Sequence, residues 1–148
     1  MRRHYRPVET PLGIAKGRDA IYLDAIKWTQ RTSRIILHGE FNGELCSEGS
    51  RASTEFPRYT ITFSGVLAFK IIELDSWDGE SESSFDEIID SQWIKDLGGK
   101  VTSTHRHFLI QTYDDVIEVV CDRFDLVMPK NTTEQDGGGQ PATRPESK

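Results

Sequence analysis

The chain has 148 residues, 36% hydrophobic and 28% charged, enough for one soluble domain with one substantial core. Its net charge of −6 is uneven: residues 1–18 carry +4, residues 129–148 balance, and residues 19–128 hold 20 acids against 10 bases. An acidic body of this kind repels phosphate backbones, so nucleic acid is a poor partner, and no run approaches the roughly 18 apolar residues of a membrane span.

Residues 1–15 read as an extended basic arm punctuated by Pro7 and Pro11. No apolar stretch follows its arginines, so no export signal is expected and the location implied is cytoplasmic. The globular domain is expected over residues 16–129. Ala20–Trp28 fits either a strand or a short helix, with strand preferred. Ser33–Phe41 is rich in β-branched residues and predicts a strand, and Asn42-Gly43 predicts a tight turn into a short strand at Glu44–Cys46. In Arg58–Phe63, Tyr59, Ile61 and Phe63 alternate with polar residues, the pattern of a strand with one wet face. Gly65 then reads as a bulge before the apolar run that ends at Leu74.

One segment departs from this theme. Phe85, Ile88, Ile89, Trp93, Ile94 and Leu97 recur at helical spacing, Ser84 and Glu87 match a capping box, and Gly98 suits a helix end. This predicts an amphipathic helix lying on the sheet. His107–Phe124 contains two apolar runs separated by Thr112-Tyr113-Asp114-Asp115. The second run, Asp115–Arg123, also has a helical face, but its β-branched residues favour a hairpin. Residues 130–148 contain three consecutive glycines and no aliphatic side chain larger than alanine, a composition expected to form a disordered tail.

The chemistry-bearing residues fall into two groups. From Glu73 to Asp90 there are eight carboxylates and no lysine or arginine. They read as a solvated acidic loop leading into a helix, as an electrostatic docking surface for a basic protein, or as a calcium site, although the spacing of a known calcium loop is not met. Asp75, Asp78, Glu80, Glu82 and Asp86 are the candidate partner contacts. His105 and His107, two residues apart, would share one face of a strand, where they read mainly as a solvent-facing pair. With Asp114 or Asp115 they are the candidate acid–base set if the protein is an enzyme. Glu118 stands close by in sequence, but Asp114 and Asp115 are explained by turn propensity alone, and the three carboxylates read as turning and solvating a hairpin. His38 reads as a partly buried, hydrogen-bonded side chain. Cys46 and Cys121 are too far apart for a metal-binding or redox motif, and no nucleophile or phosphate-loop motif occurs. No metal and no cofactor are expected.

"YTITFSGVLAFKIIELD", "DSQWI" and "HFLIQTYDDVIEVV", in that order, resemble stretches of small uncharacterised bacterial β-rich proteins, some of them immunity-protein-like. The resemblance covers about Arg58–Leu126 and carries over no catalytic residue, but it implies protein binding rather than catalysis. The expected fold is α+β and β-rich: an antiparallel sheet of about five to seven strands with one amphipathic helix packed on it. Its core would comprise Ile35, Leu37, Tyr59, Ile61, Phe63, Leu67, Phe69, Ile71, Phe85, Ile89, Trp93, Phe108, Ile110, Val119 and Phe124. The expected role is a protein-interaction module that meets a basic partner through its acidic face. A small enzyme or ligand-binding protein, with a pocket between sheet and helix, is the alternative.

Overall fold

The alternation at Arg58–Ser64 (β4) places Tyr59, Ile61 and Phe63 on one face, and that face is buried. The structure, a computed structural model, describes residues 3–52 and 54–129. The other strands are β1 (His4–Pro7), β2 (Ile21–Thr29), β3 (Arg34–Phe41), β5 (Ala68–Glu73), β6 (Phe85–Ile89), β7 (Arg106–Gln111), β8 (Asp115–Cys121) and β9 (Arg123–Val127), with one short helix, α1 (Gln92–Asp96). They form two antiparallel sheets. Sheet one has the order β1-β6-β7-β8-β5 and sheet two the order β2-β3-β4-β9.

The sheets are joined by two strands that change sheet. Chain direction carries β4 into β5 through Gly65, and β8 into β9 through Asp122. Because β4 pairs with β9 and β5 pairs with β8, these four segments make one bent antiparallel ribbon that belongs half to each sheet. The bend is held by Asp122 N–H donating to the Ser64 carbonyl at 2.9 Å and Leu67 N–H to that of Val120 at 2.9 Å. Above it, Phe63 and Phe124 from sheet two meet Phe85 and Phe108 from sheet one, with ring centroids 4.9 to 6.2 Å apart. Such edge-on and tilted aromatic contacts each add about 0.5–1.5 kcal/mol beyond area burial.

The central strands of sheet one, β6, β7 and β8, are buried on both faces. Phe85, Phe108, Ile110, Ile117 and Val119 enter the main core between the sheets. On the opposite face, Ile88, Leu109 and Val116 form a second, smaller core with Tyr5, Leu74 and Trp77. The loop between β5 and β6 provides that cover, anchored by Leu74 N–H to the Asp114 carbonyl at 2.9 Å.

Several expectations are corrected. There are two sheets, not one. The helix expected over Phe85–Leu97 is strand β6 followed by the five-residue α1, capped by Ser91 and not by Ser84. Four of the five β6 residues are buried, which removes the alternation that marks a strand and leaves a spacing that imitates a helix. Asn42 caps a 3₁₀ turn over Gly43–Leu45 and leads into no strand. Residues 4–7 of the expected arm form β1, and Leu12 and Ala15 are buried, so the boundary expected at residue 16 falls inside the packed unit. Leu67 and Ile71, expected in the core, are exposed. The strand preference for Ala20–Trp28 and the hairpin preference for His107–Phe124 both match the structure, β7 and β8 pairing in register. The tail expected over 130–148 lies outside the described residues.

Gly65 is not a simple bulge but the point where the chain changes sheet, at φ 66°, and a Cβ there would meet Asp122 Cβ at 2.6 Å. Gly65→Ala should therefore cost at least about 1–3 kcal/mol from the left-handed backbone alone. Urea unfolding checks this, and an unchanged midpoint would mean that the bend relaxes freely.

Candidate functional site

The densest polar constellation lies on the outward face of sheet one. The β7–β8 register sets Leu109 opposite Glu118 and His107 opposite Val120, which makes His107 and Glu118 diagonal neighbours on one face. His107 Nε2 lies 2.7 Å from Glu118 Oε1, and both side chains are nearly inaccessible, at 1% and 3% exposure. The other ring nitrogen, Nδ1, lies 2.7 Å from Ser91 Oγ. Ser91 is placed by the end of β6. Asp90 adopts a left-handed conformation at φ 57°, turning the chain so that Ser91 Oγ also accepts the Ile94 N–H at 3.1 Å and caps α1. Arg3 completes the set by donating to both Glu118 carboxylate oxygens, at 3.1 and 3.3 Å. Trp93 closes over the imidazole edge-on at 5.2 Å, and Lys70 Nζ sits 4.9 Å from the Trp93 ring.

With Glu118 ionised, its oxygen accepts the Nε2 hydrogen, and Nδ1 accepts the hydroxyl hydrogen of Ser91. The hydrogen-bonding capacity of the buried imidazole is thereby used in full. Burial pushes the Glu118 carboxyl up, but hydrogen bonds from His107 and Arg3, and then the positive charge of Arg3, outweigh it and bring the group down to about 2. The Ser–His–Glu order resembles a nucleophile relay, yet the ring is turned the other way round. In serine hydrolases Nε2 faces the serine, whereas here Nε2 faces the acid. Ser91 is also buried and already engaged as a helix cap.

A second carboxylate sits on the inward side of the same sheet. Glu87 receives Arg6 at 2.8 Å and Arg106 at 2.8 and 3.0 Å. Burial works against ionisation of Glu87, but hydrogen bonds from Arg106 and Arg6 overcome it and lower its pKa. Arg3, just before β1, and Arg6 of β1 thus each engage a buried carboxylate, one on each face of the sheet. Both cysteines are free, and burial pushes Cys46 up to about 11 and Cys121 up to about 12, far from a thiolate nucleophile.

The structure separates the two histidines. His105 precedes β7 in an exposed turn, where its Nδ1 accepts the Thr102 N–H at 2.9 Å. His107 is buried rather than solvent-facing, so the two form no pair. Asp114 and Asp115 lie at the hairpin, where Thr112 Oγ1 accepts the Asp115 N–H at 2.9 Å and neither aspartate joins the His107 constellation. His38 is exposed and bonds to Thr60 Oγ1 across strands at 3.1 Å. Glu118, expected with Asp114 and Asp115 only to turn and solvate the hairpin, is instead buried against His107, and sequence reasoning missed Ser91.

The acidic candidates also divide. Asp86 is fully buried and accepts Glu82 N–H at 2.6 Å, Ser83 N–H at 3.1 Å and Ser83 O–H at 2.5 Å. It cannot meet a partner, and instead pins the acidic loop to the sheet. Asp75, Asp78, Glu80 and Glu82 are exposed on that pinned loop. Glu80 and Glu82 also line a half-open cleft of about 330 Å³ with Arg3, His4, Tyr5 and Ser81. Among the described residues, no cluster of three or more His, Cys, Asp or Glu side chains could hold a metal ion, and no helix is long and apolar enough to cross a membrane. No protein-family model, curated protein or solved structure matches the chain.

The depressed Glu118 group makes stability fall with acid. Its contribution is complete above the unfolded carboxyl value of 4.5 and is lost as pH drops through about 2. That difference corresponds to about 3 kcal/mol. Urea midpoints from pH 7 to pH 2 should show this loss, and Glu118→Gln should be less stable at pH 7 with a shallower acid slope. Parallel pH profiles in the two proteins would overturn the assignment.

Proposed function

We propose that the chain is a protein-binding module that receives a basic partner through the exposed acidic loop between β5 and β6. The observation that carries this reading is the contrast between its two kinds of acid. The buried carboxylates Asp86, Glu87 and Glu118 are consumed by internal bonds, whereas Asp75, Asp78, Glu80 and Glu82 project from a loop whose backbone is tied down. Fixed charges on a rigid support lose little entropy on docking and mainly speed encounter. Residues 19–128 hold twice as many acids as bases, so the long-range field has the same sign as the loop. An immunity-type role, neutralising a basic toxin, is a specific form of this reading.

Replacing Asp78, Glu80 and Glu82 with Ser should leave the fold intact, because exposed carboxylates contribute little to stability. Association with the basic partner, followed by stopped flow, should slow, and added salt should slow the wild type in the same way. Binding indifferent to both would remove this proposal.

The alternative, a small enzyme, is favoured by one observation: the 2.7 Å contacts that link Ser91, His107 and Glu118. The reversed ring, the helix-capping duty of Ser91 and its burial oppose it. A fluorophosphonate probe should therefore leave Ser91 unmodified in the folded protein, as read by intact-mass spectrometry. Stoichiometric labelling at Ser91 would favour the enzyme.

A further inference from the structure

We infer that Asp78 is a site of spontaneous covalent modification, in which its side chain closes on the Gly79 nitrogen, and that the fold shuts off the same chemistry at Asn42. This inference does not depend on the docking reading above, and either can fail without the other.

An asparagine or aspartate followed by glycine carries its own reaction partner. The glycine main-chain nitrogen attacks the side-chain Cγ, a five-membered imide forms, and ammonia leaves from asparagine or water from aspartate. Water then opens one of the two imide carbonyls. One opening yields aspartate, and the other yields isoaspartate, in which the main chain runs through the side-chain carbon. Water is the only co-reactant. Glycine favours the attack because no Cβ shields its nitrogen and its backbone turns freely. Asparagine is the more reactive of the two, because a carboxylate is a poor electrophile. The described residues contain one pair of each kind, Asn42-Gly43 and Asp78-Gly79.

Ring closure requires the peptide group between the two residues to rotate, as one plane, until its nitrogen faces Cγ. At Asn42 that group is held at both ends. Its carbonyl accepts the Leu45 N–H at 3.0 Å, and its nitrogen, on Gly43, donates to the Glu55 carbonyl at 3.0 Å. The side chain is held as well, with Asn42 Oδ1 accepting the Glu44 N–H at 3.1 Å. Rotation would break these bonds and leave the N–H of buried Gly43 without a partner, which is costly. At Asp78 nothing holds the corresponding group. Among the described residues, no hydrogen bond or ion pair engages the Asp78 carbonyl, its carboxylate or the Gly79 N–H. Both residues are exposed and belong to no strand or helix.

Packing explains why a glycine stands at position 79. A Cβ there would lie 2.8 Å from the Trp77 indole, and that ring packs against Ile88, Leu109 and Val116. Any other residue would push the ring off the second core. The contact that requires glycine therefore also leaves the nitrogen after Asp78 unshielded. Isoaspartate at this position lengthens the loop main chain by one carbon and carries its free carboxylate on the α-carbon. That carboxylate is the substrate class of protein carboxyl methyltransferases, which esterify it with a methyl group from S-adenosylmethionine, and this reaction gives the readout.

The full chain is incubated for several weeks in neutral buffer, folded or unfolded in guanidinium chloride, beside free peptides spanning residues 39–45 and 75–82. Isoaspartate is counted by enzymatic transfer of a labelled methyl group, and both positions are mapped by mass spectrometry of proteolytic fragments. Asp136-Gly137 lies outside the described residues and is mapped as a separate fragment. In the folded chain isoaspartate should accumulate at Asp78 before Asn42 deamidates, and Asn42 should react at least tenfold more slowly than in its peptide. In the unfolded chain the order should reverse. Asp78→Glu keeps the charge and should abolish methyl incorporation in its fragment, because the longer side chain closes its ring far more slowly. Asn42 reacting first in the folded chain, or with less than tenfold protection, overturns the inference. So does an order unchanged by unfolding, an Asp78 that stays unmodified, or methyl incorporation that survives Asp78→Glu.

Discussion

The structure depends on the bend shared by Gly65 and Asp122. Two antiparallel strands cross from one sheet to the other side by side, so neither sheet can be assembled without fixing part of its neighbour. The left-handed backbone at Gly65 lets the two chains approach where a side chain would collide. The four phenylalanines gathered above the bend then fill the angle between the sheets.

Sheet one carries polar chemistry on both faces, and this shapes what the protein can do. A carboxylate taken out of water costs several kcal/mol unless it is paired and hydrogen-bonded. Glu118 and Glu87 meet that demand with His107, Arg3, Arg6 and Arg106. The residues that look most catalytic are therefore spent on holding β1, the Ser91 turn and α1 against the sheet. A network satisfied to this degree specifies geometry and leaves little lone-pair or proton capacity for a substrate.

What remains for recognition lies at the surface. Asp86 ties Glu82 and Ser83, at the end of the β5–β6 loop, to the sheet, while the carboxylates of Asp75, Asp78, Glu80 and Glu82 are exposed. In the proposed reading, the charge on this loop would mainly speed encounter with a basic partner.

Much of the β-structure was legible from local pattern. Tyr59, Ile61 and Phe63 alternate because β4 has one wet face, and the polar break Thr112–Asp115 between two apolar runs specifies the β7–β8 hairpin. The sequence by itself also determined the acidic balance and the absence of a metal or nucleophile motif. It did not determine β6, because a strand buried on both faces loses its period of two, and Phe85, Ile88 and Ile89 then imitate a helical stripe. Nor did it separate His105 from His107 or Asp86 from Asp78, pairs whose members are chemically alike in the sequence. Only the cross-strand register, which sets Glu118 beside His107 and folds the loop back onto Asp86, decided which of them face water. Register is a long-range property, fixed by which faces are buried, and no local window contains it.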